Sequence, residues 1–339
     1  VNGAALPLPT LQDVRAVTVE ESVDEPSTFS IELSNWDDEK LQVAWSDGPL
    51  FDVGNAVEIG LGYLDDVRPV LLGEVTSLEP VFTAATTPTL TVGGYGYAHR
   101  LARTRRTRSF AAMKDSAIAA QVAREAGLRG EAADTKIVLP YVAQANQTDW
   151  AFLRQRAARI GYEVFVRDKT LHFRPPATGA RAQQTLSLDG GVTSFRPRLS
   201  AVGQVGEVTA RGWDVKAKQP VVGRAVTGQE ISRMGGRRTG PKTADAAFGR
   251  STTAHVALGP TTKADADMIA RGGLDVGALG FVRATVECGG RAGLHAGSVV
   301  EIEGAGTRFS GSYYVTTATH VLDAESGYRT TLTVERNAS

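Results

Sequence analysis

The residues best suited to nucleophilic chemistry are a cysteine and two histidines towards the end of the sequence. Cys288 is the only cysteine among 339 residues; His295 and His320 follow it, and Glu287 and Asp323 lie nearby. A thiolate beside a histidine base is the arrangement of a covalent hydrolase. Cys288, however, alternates with apolar residues two and four positions before it, as core-facing strand residues do. We therefore expect a buried apolar role for Cys288, and a cell-wall or ester hydrolase remains the alternative.

Glycine-rich stretches could bind phosphate, but each lacks part of the required pattern. Residues 235–243 have the glycine spacing of a P-loop, yet Pro241 precedes Lys242. Proline has no backbone N–H and fixes φ, so this loop cannot cradle a phosphate. Residues 60–65 and 94–99 lack the third glycine of a dinucleotide-binding loop and are expected to be β turns.

Other catalytic and metal-binding motifs are missing from the sequence. It contains no Gly-x-Ser-x-Gly elbow and no His-Glu-x-x-His pair, and its five histidines are scattered without ligand spacing. With a single cysteine, neither a disulfide framework nor a multi-cysteine metal site can form. The expectation is therefore no enzyme, no catalytic residue, no cofactor and no metal.

The amino-acid composition disfavours two classes of binding partner, nucleic acid and membrane. Lys+Arg and Asp+Glu number 37 each, so the net charge is zero, which disfavours binding to nucleic acid or to an anionic membrane. Apolar residues make up 42%, enough for real cores. No stretch approaches 18 apolar residues, so we expect no membrane insertion. The sequence starts without methionine or a signal-like segment, and we expect its ends to be trimmed; a missing C-terminal continuation would matter for function.

One basic run is the densest local cluster of charge. It contains Arg100, Arg103, Arg105, Arg106 and Arg108. Such a run can be a solvated face, or a patch that pairs with carboxylates of a neighbouring subunit or tube protein. Nucleic-acid binding is the weakest interpretation, because only two aromatic residues flank the run.

Hydrophobic periodicity predicts a mainly β chain with an α+β insert. Alternation predicts strands within residues 14–20, 28–33, 57–61, 70–75 and 89–95, with a turn at Leu64-Asp65-Asp66. Helical spacing predicts helices at 115–126 and 149–160, the second capped by Thr148, before two strands at 162–167 and 170–173. A third helix is expected from Thr262, with Gly272-Gly273 as a weak point.

These elements predict four segments. Residues 1–100 form a first β-barrel, and residues 101–175 form a peripheral α/β domain. Residues 176–280 contain strands, a long Gly- and Arg-rich loop at 217–260 and a helix, which together link to a second β-barrel at 281–339. Residues 235–242 are expected to be a mobile surface loop.

The two β regions share a sequence repeat. Residues 53–59 are similar to 296–302, residues 72–76 to 310–316, and residues 89–92 to 331–334, in the same order. Two unrelated antiparallel barrels could share such turns, but a duplicated barrel is the favoured interpretation. Three such chains would place six similar barrels around one axis, so that a trimer could match a six-subunit ring.

Several runs resemble one known family. They are STFSIEL at 27–33, LGEV at 72–75, VGGYGYAHRL at 92–101, QTDWAFL at 147–153, AARIGYE at 157–163, FSGSYYV at 309–315, TH at 319–320 and GYRT at 327–330. In this order, and across nearly the whole chain, they are similar to phage late control protein D and the VgrG-like baseplate hub proteins of contractile tails and injection systems.

The resemblance implies a structural role in a particle. Such hubs are trimers whose paired barrels form a pseudo-hexameric ring, which joins a hexameric inner tube to a trimeric spike. The implied partners are two further chains, the tube protein, a spike tip or OB-fold and β-helix segment, and baseplate wedge proteins. Assembly would occur in the bacterial cytoplasm, before incorporation into a phage tail or injection particle. Many relatives continue into an OB-fold and a β-helix needle, which this sequence does not include.

The residues expected to build or face the ring interface lie on four predicted strands and in the basic run. They are Val57, Ile59, Leu72, Glu74, Val300, Ile302, Tyr313, Val315 and His320, together with Arg103, Arg105, Arg106 and Arg108. A ligand-binding β-barrel is the remaining alternative function.

Overall fold

The computed structural model describes residues 1–63, 66–255 and 259–339. Leu64 and Asp65 of the expected turn, and residues 256–258 of the expected long loop, lie outside the described residues. The strands are β1 (Val14–Ser22), β2 (Thr28–Ser34), β3 (Trp36–Asp37), β4 (Gln42–Val43), β5 (Ala56–Tyr63), β6 (Asp66–Val81), β7 (Thr89–Gly96), β8 (Arg105–Met113), β9 (Arg129–Ala132), β10 (Leu139–Thr148), β11 (Glu163–Arg167), β12 (Thr170–Arg174), β13 (Gln184–Ser187), β14 (Val192–Leu199), β15 (Glu207–Asp214), β16 (Gln219–Val226), β17 (Thr252–His255), β18 (Val282–Gly289), β19 (Val299–Glu303), β20 (Gly311–Asp323) and β21 (Gly327–Arg336). The helices are α1 (Leu8–Asp13), α2 (His99–Ala102), α3 (Asp115–Glu125), α4 (Asp149–Arg159), α5 (Gly240–Phe248), α6 (Lys263–Leu279) and α7 (Gly306–Phe309), with a 3-10 turn at Pro49–Phe51.

The mainly β character is confirmed, and the two β regions share one sheet. Eleven strands join, nine of them in the order β14-β18-β21-β20-β1-β2-β7-β6-β5, while β19 pairs with β20 and β13 pairs with β19. The join between the regions is β1, which pairs with β2 on one side and with β20 on the other. The sequence analysis expects two separate barrels, but periodicity within a strand does not reveal its distant partners.

Each half of this sheet contains the same five-strand arrangement. We name β1, β2, β7, β6 and β5 the first module, and β14, β18, β21, β20 and β19 the second module. In the first, the Gly54 N–H donates to the Val75 carbonyl over 2.9 Å; in the second, the Gly297 N–H donates to the Val315 carbonyl over 2.7 Å. Both glycines have a positive φ, 96° and 80°, a conformation that glycine adopts without strain.

The modules also share their irregularities. The ladder of β6 with β7 shifts register between Val75 and Ser77, and that of β20 with β21 shifts between Val315 and Thr317. A second shift occurs near the start of both β1 and β14, when they pair with β2 and β18. β-Bulges mark defined positions in a sheet, so their recurrence equates the strands one by one.

This correspondence of strands differs from the sequence repeat in one of the three pairs of similar segments. The first pair, residues 53–59 and 296–302, is aligned as in the sequence repeat, since Ala56 lies opposite Glu74 just as Val299 lies opposite Tyr314. In the third pair, residues 89–92 and 331–334, the strand pairing makes Val92 equivalent to Leu332, whereas the sequence repeat aligns Leu90 with Leu332. A slip of two residues keeps every side chain on its face of the sheet, so hydrophobic alternation cannot detect it.

The segment expected to link the barrels contributes directly to the second module. Strand β14 lies within residues 176–280, yet it pairs with β18 along most of its length. The part expected to be a long loop contains β16, α5 and β17, and α5 begins inside the stretch expected to be mobile, with Pro241 in its first turn. Proline is tolerated there because the first helical N–H groups have no intrahelical partner.

One hydrophobic core joins the expected α/β insert to the chain beyond β14. It contains Ile118, Phe152 and Leu171 from the expected insert, but also Val208 and Ile269 from later strands and α6. The insert therefore packs with residues 205–274, not with residues 101–175 alone, and we name residues 97–173 and 205–274, which share this core, the α/β unit.

Helix ends were the most predictable local features. The Thr148 hydroxyl accepts the Ala151 N–H over 3.1 Å at the start of α4, as the predicted N-cap should. Helix α6 is continuous through Gly272 and Gly273, where a weak point was expected. Gly272 packs against the end of α4, where a Cβ would lie 2.3 Å from the Ile160 carbonyl carbon.

Candidate subunit interface

Most of the predicted interface residues lie inside the chain's own cores. Val57, Ile59, Glu74, Val300, Ile302, Tyr313, Val315 and His320 are all buried, and Leu72 is half-buried. Within each module these side chains hold the sheet together. Any contribution to an inter-chain contact would come from the strand edges that they support, and their place at such a contact stays a prediction.

Glu74 and its equivalent in the second module both contact the α/β unit. Arg100 donates two hydrogen bonds to Glu74, one of 2.8 Å from Nε to Oε2, and His99 Nε2 lies 2.8 Å from the same oxygen. The hydrogen bonds from Arg100, assisted by those from His99, lower the pKa of Glu74. The equivalent residue is Tyr314, whose hydroxyl donates to Glu163.

Two arginines of the basic run besides Arg100 also have acidic partners within the chain. Arg108 Nη2 lies 2.9 Å from Asp149 Oδ1, and Arg106 Nε lies 3.3 Å from the other oxygen of that carboxylate. Both guanidinium groups also approach Glu125.

The other two predicted arginines of the run are exposed. Arg105 donates to the Asn146 carbonyl over 2.8 Å, and Arg103 is exposed. The run is thus divided between an internal ion-pair network and a solvated face, and contact with a partner's carboxylates stays a prediction for its exposed members.

His320 is a buried, neutral histidine at the join between the modules. Its Nε2 lies 3.0 Å from the Leu294 carbonyl and its Nδ1 lies 3.0 Å from the Tyr328 hydroxyl. Since a carbonyl can only accept, Nε2 carries the proton and Nδ1 accepts. Burial lowers the pKa of His320, which also keeps the ring neutral. It faces Val19 of β1 across the ladder.

The hydrolase alternative finds no support at its nucleophile. Cys288 is 2% exposed within the second module, and its sulfur lies 3.6 Å from the Thr330 carbonyl. Burial raises the pKa of this thiol, which disfavours the reactive thiolate. The side chain of His255 lies outside the described residues; among those described, no group of three His, Cys, Asp or Glu side chains could hold a metal ion.

A buried polar cluster that the sequence analysis missed lies between the α/β unit and the second module. Glu163 accepts from the Tyr314 hydroxyl, and its Oε1 lies 3.2 Å from Arg174 Nη2. Burial raises the pKa of Glu163 to about 7. The strand that begins at Glu163 gives no warning, since the partner Tyr314 is 151 residues away.

Among the described residues, several strands of the sheet pair on one side only: β5 pairs only with β6 and β13 only with β19, and two further open edges are equivalent to the strands of the internal joint. Strand β14 pairs only with β18, and beyond Glu74 strand β6 pairs only with β7, among the residues that the structure describes. Glu79, Pro80 and Val81 on β6 are exposed, and the side chain of Phe82 beyond them is 60% exposed. Open edges of this kind present unpaired backbone groups to another chain.

No helix in the described ranges has both the length and the apolar character needed to cross a membrane.

This combination of sheet and α/β unit is the fold of phage tail proteins. The 43 kDa tail protein of prophage MuSo2 from Shewanella oneidensis matches with a TM-score of 0.71 and 14% identity, over 95% of this chain and 94% of that one. A tail protein of Neisseria meningitidis MC58 gives 0.69 and 14%, over 95% and 92%. The E. coli c3393 protein, described as a component of the type VI secretion system with structural similarity to bacteriophage T4 tail proteins gp27 and gp5, gives 0.64 and 13%, over 96% and 74%.

The chain belongs to the Alg8 N-terminal domain family, whose pattern it matches over residues 1–324. No curated protein matches its sequence. The structural matches confirm the expected similarity to tail proteins for the fold.

Proposed function

We propose that the chain is the structural hub of a contractile-tail or injection-system baseplate, and that three copies form a ring of six similar modules. This ring would adapt a hexameric inner tube to a trimeric spike. The fold shared with tail proteins supports the class of particle. The resemblance to late control protein D and VgrG-like hubs supports the position within it.

The observation that carries the proposal is the join between the modules. Within one chain, β1 of the first module pairs with β20 of the second. The equivalent strands, β14 of the second module and β6 of the first beyond Glu74, each have an open edge among the described residues. A unit with one internal joint and two complementary open ends can repeat head to tail until the ring closes. Three chains would then present six modules, which matches the symmetry of a hexameric tube.

The role is structural, not catalytic. The proposed partners are two further copies of the chain, an inner tube protein, a spike tip or OB-fold and β-helix spike segment, and baseplate wedge proteins. Assembly in the bacterial cytoplasm would precede incorporation into a phage tail or injection particle. Two barrels per chain, closed by such contacts, remain part of this proposal.

Native mass spectrometry and negative-stain imaging of the purified chain test the proposal. The expected result is a species of three times the chain mass of 35.9 kDa, seen as a ring with six similar lobes. Binding of that ring to a hexameric tube protein would support the adaptor role. A chain that stays monomeric at every concentration, and that never binds tube protein, would remove the hub proposal.

A further inference from the structure

We infer that β14 of one copy pairs antiparallel with the open edge of β6 in a second copy, with Arg198 directly opposite Glu79. This inference rests on the proposed ring and specifies its contact. The partner is therefore a second copy of this chain, and the sites are two strand edges that nothing else covers in the described residues.

The internal joint supplies the register. In that joint Val17 lies opposite Leu322 and Glu21 lies opposite Ala318. The shared bulges equate β1 with β14 and β20 with β6, as described above. Transferred residue by residue, the register places Ser194, Phe195, Arg196, Pro197, Arg198 and Leu199 opposite Thr83, Phe82, Val81, Pro80, Glu79 and Leu78 of the other copy.

The chemistry of the opposed residues is complementary. Arg198 and Glu79 are both exposed and carry opposite charges, and cross-strand pairs of this kind are stabilising. On the other face, Phe195 meets Phe82, and Leu199 meets Leu78 at the rim of each core. A one-residue shift would place Arg198 against proline or leucine and would turn the phenylalanines to opposite faces.

The two prolines interrupt this contact at one position and protect the free chain. Pro197 pairs with Ala284 of β18 and Pro80 pairs with Leu90 of β7. Proline is accepted in a paired strand where its missing N–H faces away from the neighbour, so both prolines face the open edges. When these edges meet, Pro197 lies opposite Pro80 and neither has an N–H to donate, so this position forms no hydrogen bond and the pairs on either side carry the ladder. Before assembly, the prolines make each edge a poor template for aggregation.

Cysteine cross-linking tests the register. Arg198→Cys combined with Glu79→Cys places two thiols opposite each other at about 4.5–5.5 Å between Cα atoms, within reach of a disulfide. Oxidation with diamide is expected to give covalent dimers and trimers on a non-reducing gel. The control combines Arg198→Cys with Val81→Cys, a diagonal pair at about 7–8 Å that should link poorly. The native Cys288 is buried and does not compete.

A charge exchange supplies a second, independent measurement. Arg198→Glu places two carboxylates opposite each other and should weaken self-association about fivefold for each contact. Adding Glu79→Arg should restore it, because both side chains are exposed and neither supports the core.

The outcomes separate this inference from the proposed function. Cross-linking at the control pair but not at the test pair, or a trimer that is indifferent to both charge changes, would overturn the register and leave the ring standing. A chain that does not self-associate at all would overturn both.

Discussion

Replacing Glu163 by glutamine should remove a pH dependence of folding that the wild-type chain carries. The carboxyl group is 5% exposed between the α/β unit and the second module. Burial raises its pKa from 4.5 to about 7, although the hydrogen bond from Tyr314 and the charge of Arg174 act in the opposite direction. The folded chain therefore holds this proton over a pH range in which the unfolded chain has lost it.

The size of the effect follows from the difference between the two pKa values. It amounts to about 2.5 units at 1.36 kcal/mol each, or about 3 kcal/mol in the free energy of unfolding. A raised carboxyl pKa gives a contribution that is complete below pH 4.5 and is lost as the pH rises through 7. Wild-type stability from this group should therefore fall between pH 5 and pH 8.

His172 changes stability in the opposite direction over part of this range. Burial lowers its pKa from 6.5 to about 4, so its contribution is lost as the pH falls through this interval. The slopes of Glu163 and His172 oppose each other between pH 4.5 and pH 6.5, and Asp275, whose pKa burial raises to about 6, adds a slope in the same direction as Glu163, so the wild-type curve alone does not isolate Glu163. The informative quantity is the difference between wild type and the Glu163→Gln variant at each pH.

Urea unfolding at a fixed protein concentration, followed at pH 5, 6, 7 and 8, measures that difference. Glutamine keeps an acceptor for the Tyr314 hydroxyl but does not titrate, so wild type should lose about 2–3 kcal/mol relative to Glu163→Gln between pH 5 and pH 8. Glu325→Gln, at an exposed turn, is the matched control and should follow wild type. A constant difference between wild type and Glu163→Gln across the series would refute the assignment.

Two further predictions concern the helices of the α/β unit. Asp115→Ala should lower the free energy of unfolding by about 3–5 kcal/mol in urea titrations, because it removes the carboxylate that accepts two hydrogen bonds from the buried Arg156; a loss below 1 kcal/mol would contradict this. Gly272→Ala should cost about 1–3 kcal/mol by the same measurement, since its Cβ would meet the Ile160 backbone, whereas Gly277→Ala on the same helix meets nothing within 4 Å and should be neutral or stabilising. Equal effects of the two alanines would refute the packing argument.

Local structure was predictable where a few neighbouring residues decide it. Thr148 and the apolar stripe that follows determine α4, and the Thr262 hydroxyl caps α6 by accepting the Asp265 N–H. Most strands of the first module were also found, because each alternates between a core face and an outer face.

Long-range pairing was not predictable in the same way. Strand β14 ends 83 residues before β18 begins, yet the two strands pair from Val192–Cys288 to Leu199–Val282. The sequence of β14 does not identify this partner. The interval between them folds with the α/β unit, so a boundary drawn along the sequence separates residues that share one core. For the candidate site, the sequence located the repeat but selected buried side chains, because apolar alternation marks the faces of a strand and not its open edge.

The difference between the internal joint and the proposed external one explains why the modules have diverged. Inside the chain, Val19 faces His320, and the covalent connection makes their pairing independent of concentration. At the equivalent positions of β14 and β6 both residues are proline, which removes two N–H donors from these open edges and makes them poor templates for aggregation. The charged pair of Arg198 and Glu79 would then select the correct register on encounter, a task that the tethered internal joint does not have. The same pairing of strands would then form both joints. The covalent chain keeps the internal joint together, and side chains such as Arg198 and Glu79 set the register of the external joint.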